Sequence, residues 1–152
     1  LIRYMRTSLS RTLPEATTLD QELNMIRAYL NIQKIRMGER LRFAIELPEA
    51  VRQHPFPPTL LQPLVENAVK HGLEPKMEGG EITIKALEKD DLMRIEVMDT
   101  GLGFSSFQKV GVGIGNVRER IRLLYGDKGR LILQANDPHG VKAIIEVPKH
   151  GV

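Results

Sequence analysis

Residues 59–72 read TLLQPLVENAVKHG, a run whose apolar and polar positions separate cleanly at helical spacing. At about 100° per residue, Leu61, Leu64, Val65, Ala68 and Val69 share one arc of a helix, and Glu66, Asn67, Lys70 and His71 share the other. Pro63 falls near the first full turn, so the pattern predicts a helix that starts late or bent there, with Gly72 as its natural stop. The polar arc has two readings. It is a solvated face, as charged arcs usually are, or it is a ligand set. In the second case Asn67 offers a hard carbonyl oxygen to Mg²⁺, a cation that takes few protein ligands and completes its shell with water and phosphate oxygens.

Working outward toward the N-terminus, Leu41, Phe43, Ile45 and Leu47 alternate with polar or small residues, the pattern of a half-buried strand, and a Pro-rich connector (Pro55, Pro57, Pro58) comes after it. Before that strand, Thr18 and Gln21 form a possible capping box, and the run to Met37 with Gly38 behind it reads as one long helix. Leu19, Leu23, Ile26 and Leu30 make one apolar stripe of this helix; Met25, Ala28, Ile32 and Ile35 make a second. Two stripes predict burial on two sides, either in a broad core or against a partner. Leu1, Ile2, Met5 and Leu9 keep helical spacing with no capping residue ahead of them, so the segment reads as cut from a longer chain.

Toward the C-terminus, residues 81–88 and 92–99 are two strands joined by a tight turn around Asp90. A Gly-rich stretch from Thr100 to Gly115 leads into a helix with Val117, Ile121 and Leu124 inward and Gly126 at its end. Residues 130–135 and 141–147, joined by a turn from Asn136 to Gly140, make a second hairpin. The order predicts an α/β (α+β) chain: a mixed, mostly antiparallel sheet covered on one face by helices.

The 152 residues suffice for one domain with a real core, and 41% hydrophobic with 27% charged residues is ordinary globular composition. Cysteine is absent, which excludes disulfide staples, thiolate zinc sites and a cysteine nucleophile. The net charge of +3 resides in residues 1–40, with 7 basic and 4 acidic side chains, while the remainder carries 15 of each. With 5% aromatics and no basic cluster, nucleic acid is not an expected partner. P-loop, dinucleotide-fold, zincin and serine-hydrolase signatures are missing. The four histidines, His54, His71, His139 and His150, are dispersed.

Two further tracts carry chemistry. Asp99-Thr100-Gly101-Leu102-Gly103 directly succeeds a strand, and alternate glycines let the backbone turn sharply against a flat ligand while the carboxylate accepts from an exocyclic amine. The bland reading is a plain loop with one left-handed position. Gly111-Val112-Gly113-Ile114-Gly115-Asn116 then runs into a helix, whose free N–H groups and positive dipole end make an anion site. Its bland reading is a flexible connector.

In this order and spacing the segments resemble a family. LLQPLVENAVKHG is similar to the N box of histidine kinases, DTGLGF to the first glycine box, and GVGIGNVRERI to the second, in the form found in LytS-type sensor histidine kinases. DQELNMIRAYLNIQKIRMGERL resembles the segment that precedes the ATP-binding domain there. The resemblance implies the Bergerat two-layer sandwich of the GHKL ATPases, with ATP and Mg²⁺ bound. It implies that Asn67 coordinates Mg²⁺ and that Lys70 and His71 approach the phosphates. Asp99 would bind the adenine amino group within a pocket shaped by Gly101 and Gly103. Gly111, Gly113, Gly115 and Asn116 would sit at the phosphates, with Lys109 as the sole cation of the lid between the glycine boxes.

The same resemblance implies two parts: residues 1–38 as the end of a phosphoacceptor and dimerisation region with its connecting helix, and residues 39–152 as the ATP-binding catalytic domain of a protein histidine kinase. Its expected partners are the phosphoacceptor region and, through the full-length protein, a response regulator and a second copy. The domain would be cytoplasmic and its parent membrane-bound. Three features depart from the family pattern. Gly140 is followed by Val141 and not Thr, the lid from Phe104 to Val110 is only seven residues, and no H-F-x-x-N acceptor motif occurs. Hydrolysing relatives place a glutamate four residues before the asparagine, where this chain has Pro63, while Glu66 points about 100° away from Asn67 around the helix. Phosphoryl transfer to a histidine outside the chain is therefore expected over hydrolysis. A degenerate nucleotide-binding or dimerisation module and a hydrolysing GHKL ATPase are the alternatives.

Overall fold

The computed structural model describes residues 17–103 and 111–149. Helix α1 spans Leu19–Met37 and begins on the expected capping box: Gln21 N donates to Thr18 Oγ1 (3.2 Å) and Thr18 N to Gln21 Oε1 (2.9 Å). Gly38 ends it at φ +62°, a left-handed position that glycine adopts without steric cost. Leu19, Leu23, Ile26 and Leu30 are buried. The second stripe is not: Met25, Ile32 and Ile35 are 49%, 63% and 86% exposed, because the described elements pack against α1 from one side only.

Strand β1 is Leu41–Glu46, and the chain then climbs through the Pro-rich connector to helix α2, Gln62–Asn67, with Pro63 in its first turn. The helix does not stop at Gly72. It widens into a π-helical turn, Ala68–Leu73, closed by Glu74 N donating to Val69 O (2.8 Å), and Gly72 lies inside that turn. The reason is tertiary. Leu102 N donates to Gly72 O (3.1 Å), and a side chain on Gly101 would overlap the Gly72 backbone, so this turn is a docking surface for the loop after β3.

Strands β2 (Gly80–Lys89), β3 (Leu92–Asp99), β4 (Arg130–Ala135) and β5 (Val141–Pro148) complete a five-stranded sheet in the order β1-β2-β3-β5-β4. β1 and β2 are parallel, as a crossover through a helix requires, and the other three pairings are antiparallel. Helix α3, Gly111–Tyr125, begins five residues earlier than the glycine tract suggests. Gly113 and Gly115 are helical and not a connector, because Ile114 and Val117 bury into the core, and that packing outweighs the poor helix propensity of glycine.

One sheet face, with Ile82, Ile84, Met93, Ile95, Val97, Ala143, Ile145 and Val147, packs into a single core with the helices. Each fully buried Leu or Ile there contributes roughly 1.5–3 kcal/mol. The opposite face carries ion pairs across the register: Arg94 reaches Glu96 (2.8 Å) and Glu146 (3.0 Å), and Arg130 meets Glu146 (2.8 Å). The helical layer and the ends of β3 and β5 thus border the same corner of the molecule, where the site lies.

Candidate functional site

Asp99, the last residue of β3, is buried at 3% exposure. Its Oδ1 accepts from Gly101 N (2.8 Å) and Val141 N (3.3 Å), so the D-x-G turn is a carboxylate-stabilised loop start. Burial raises the Asp99 carboxyl above its ordinary value, and the N–H groups of Gly101 and Val141, with Lys76 and His139, pull the other way. Two glycines crowd it. A Cβ on Gly72 would stand 3.2 Å from Asp99 Oδ1, and one on Gly140 would overlap the Asp99 carbonyl, where φ is already +104°. The β4–β5 turn is therefore part of this site: β5 lies beside β3, and Asn136 Nδ2 donates to Asp99 O (2.8 Å).

Asn67, 7% exposed at the end of α2, supplies the other half. Its Nδ2 is buried and makes no hydrogen bond among the described residues. An orphan of this kind costs about 1–3 kcal/mol unless something meets it. What it faces is Gly113 of α3, whose added Cβ would stand 3.7 Å away. Turning the amide over presents Oδ1 in the same direction, which is what a hard cation requires. No cluster of three or more His, Asp or Glu able to hold a metal exists among the described residues, so a cation here would lean on few protein ligands.

The remaining sequence candidates spread out. Lys70 is exposed and His71 half-buried on the π turn. Gly101 and Gly103 flank the Asp99 loop, Gly103 at φ +94° beside Gly140 O. Gly111 opens α3. Gly115, about 200° round the helix from Gly113, has open space where a side chain would stand, and Asn116 is exposed. Lys109 and the rest of 104–110 lie outside the described residues. Glu66 is half-buried, and its charge acts on the buried Tyr29 hydroxyl of α1, which desolvation first and Glu66 second push up to about 12.

Four contributors to the site lie outside the residues that the sequence assigns to it. Gly72, which reads as a helix stop, is the floor beneath Asp99 and Gly101; Gly140, which reads as part of a hairpin turn, is a wall. Lys76 Nζ donates to Thr100 O (2.9 Å), and Asn136 pins the Asp99 carbonyl. Only the glycines carry a signal, as small residues at places where two backbones have to approach.

The family model described as histidine kinase-, DNA gyrase B-, and HSP90-like ATPase matches residues 56–151, and the one described as histidine kinase matches residues 1–41. Sensor histidine kinase YesM of Bacillus subtilis is 32% identical over 139 residues, covering 88% of this chain and 24% of that protein. Sensor protein LytS of Enterococcus faecalis is 26% identical over 161 residues, covering 97% of this chain and 27% of that protein. The chain thus spans roughly a quarter of the length of these curated relatives. The solved catalytic domain of histidine kinase ThkA, nucleotide-free, has the same fold, with a TM-score of 0.67 at 19% identity over 90% of this chain and 97% of that one.

Proposed function

The chain belongs to the histidine kinase-, DNA gyrase B-, and HSP90-like ATPase family, and from that premise we propose that it binds Mg-ATP between Asn67 and Asp99 and presents the γ-phosphate to a histidine outside the chain. The observation that carries this reading is the buried Asn67 Nδ2, which has no hydrogen-bond partner among the described residues and faces the side-chain-free surface of Gly113. A group that costs free energy when empty is accounted for if a metal-bound phosphate meets it. Asn67 would hold Mg²⁺ together with phosphate oxygens, and the cation would neutralise charge on the transferring phosphoryl group.

At the other end, Asp99 accepts from the 6-amino group of adenine and repels the 6-oxo group of guanine. Its orientation is fixed beforehand by the N–H groups of Gly101 and Val141, and Gly72 and Gly140 keep the approach narrow. The carboxylate nearest Asn67 in sequence, Glu66, acts on Tyr29, and Pro63 carries no side-chain base. With Pro63 at the position four residues before Asn67, transfer to an imidazole is favoured over hydrolysis, since that reaction rests on positioning and charge neutralisation. In the parent protein residues 1–38 would end the phosphoacceptor and dimerisation region and 39–152 form the catalytic domain, on the cytoplasmic side of a membrane-bound, homodimeric sensor that passes phosphate to a response regulator. No helix among the described residues is long and apolar enough to cross a membrane.

Calorimetric titration with ATP and GTP in the presence of Mg²⁺ tests the reading. ATP should bind, and GTP should bind roughly 10- to 150-fold more weakly, the worth of one charge-assisted hydrogen bond. Absence of ATP binding, or equal affinity for GTP, would refute it. Steady-state phosphate release from ATP alone would instead mark a hydrolase.

A further inference from the structure

Helix α2 has no cap of its own. Leu61 stands at its N-cap without a side-chain acceptor, and Pro63 contributes no N–H. The donors before it are met from another helix: Glu22 of α1, 1% exposed, accepts Thr59 N on Oε1 (2.8 Å) and Leu61 N on Oε2 (3.0 Å). The same corner is gripped from the other side. Arg120 of α3 donates from Nη2 to Pro58 O (2.9 Å) and from Nη1 to Thr59 Oγ1 (3.3 Å). Between the two grips Thr59 sits at φ +61°, a left-handed backbone that a β-branched residue holds only when its surroundings impose it.

We infer that Glu22 and Arg120 are positioning residues for the nucleotide site, a clasp on residues 58–61 that sets α2, and with it Asn67, against Gly113 of α3. The inference rests on the nucleotide reading above. Its logic is connectivity: Glu22 joins α1 to the start of the helix that ends in Asn67, and Arg120 joins that start to the helix that carries Gly113 two turns earlier. The two side chains also sense each other, since Arg120 acts with the N–H groups of Thr59, Leu61 and Gln62 against the burial that raises the Glu22 carboxyl. A displacement of α1 therefore reaches Asn67 through a buried carboxylate, and α3 is tied to the same point. A buried charged acceptor serving several backbone donors is costly to disturb, so the corner moves as a unit with Glu22 or not at all.

The test uses two readouts on the whole chain: the side-chain amide resonance of Asn67 in the ligand-free protein, and the affinity for Mg-ATP. Glu22→Gln keeps volume but turns an amide donor toward backbone donors; Arg120→Gln removes the second grip from a more exposed position and folds if the first variant does not. Both should shift the Asn67 resonance and weaken Mg-ATP about fivefold or more, with Arg120→Lys recovering part of the loss. In an Asn67→Ala background the further loss should shrink toward nothing, because the clasp acts through that side chain. An unmoved Asn67 resonance in both variants, or the same affinity loss with and without Asn67, would overturn the inference. Failure of the wild-type chain to bind Mg-ATP would overturn the nucleotide reading instead, while the ligand-free resonance would still decide whether the clasp sets Asn67.

Discussion

Asn67 looks across from α2 at Gly113 on α3, separated by little more than the side chain that Gly113 lacks: a Cβ there would stand 3.7 Å from Asn67 Nδ2. On the proposed reading, the phosphate end of the site depends on that gap staying open. Gly113→Leu should close it. The substitution improves helix propensity by nearly 1 kcal/mol, so stability and Mg-ATP affinity should move in opposite directions, with affinity falling about tenfold or more. Thermal melting and calorimetry on one preparation check this, and an unchanged affinity would mean the gap is not used.

The proposed adenine end depends on backbones in contact. Gly101→Ala would drive a Cβ into the Gly72 backbone, and Gly140→Ala would do the same at the Asp99 carbonyl at an unfavourable φ. Each should cost about 1–3 kcal/mol of stability through forced backbone shifts, read as a lower denaturant midpoint. A Gly101→Ala protein as stable as wild type would show that the Asp99 loop does not rest on the π turn.

Burial raises the Asp99 carboxyl in the ligand-free protein, with the N–H groups of Gly101 and Val141 opposing. The folded state therefore holds this proton more tightly than the unfolded chain. The resulting stabilisation is complete below the ordinary carboxylate value and is lost as pH rises through the raised one. Asp99→Asn removes the titration, so the variant should gain on wild type as pH climbs from about 4 toward neutrality. Urea denaturation across that range measures it; parallel pH curves for the two proteins would contradict the assignment.

Local signals in the sequence are legible where they are strong. The Thr18–Gln21 capping box, the alternation in β1 and the Asp90 turn, at φ +57°, all specify their elements without help from the rest of the chain. Asp99 and Asn67 stand out for a different reason: Asp99 opens a glycine tract at a strand end, and Asn67 is a neutral amide on an otherwise ionisable arc, both within a family pattern. The features that mislead share a cause in long-range contact. Gly113 and Gly115 look like loop until Ile114 and Val117 find the core, and Gly72 looks like a stop until Gly101 docks on it. The Asn136–Gly140 turn reaches the site only because β5 inserts between β3 and β4. Glu22 and Arg120 carry no local sign at all, since their partners at Pro58, Thr59 and Leu61 lie on a distant part of the chain.

On the proposed reading, none of the described histidines is the phosphoryl acceptor. His71 sits on the π turn that follows Asn67, His54 in the Pro-rich connector and His139, whose charge acts on Asp99, in the β4–β5 turn. Incubation with radiolabelled ATP should leave no acid-labile phosphate on this chain, while a longer chain that includes the upstream histidine should label. Comparable labelling of any of these residues in both would mean that the acceptor has been misassigned.

On the nucleotide reading, Asn67 serves ATP through a metal and not through packing. Titrating ATP into wild type and Asn67→Ala, once with Mg²⁺ and once with EDTA, separates the two. Asn67→Ala should lose affinity strongly in Mg²⁺ and little in EDTA, because the partner of Asn67 is absent in the second case. Equal losses under both conditions would contradict it and return Asn67 to the role of a helix-packing residue.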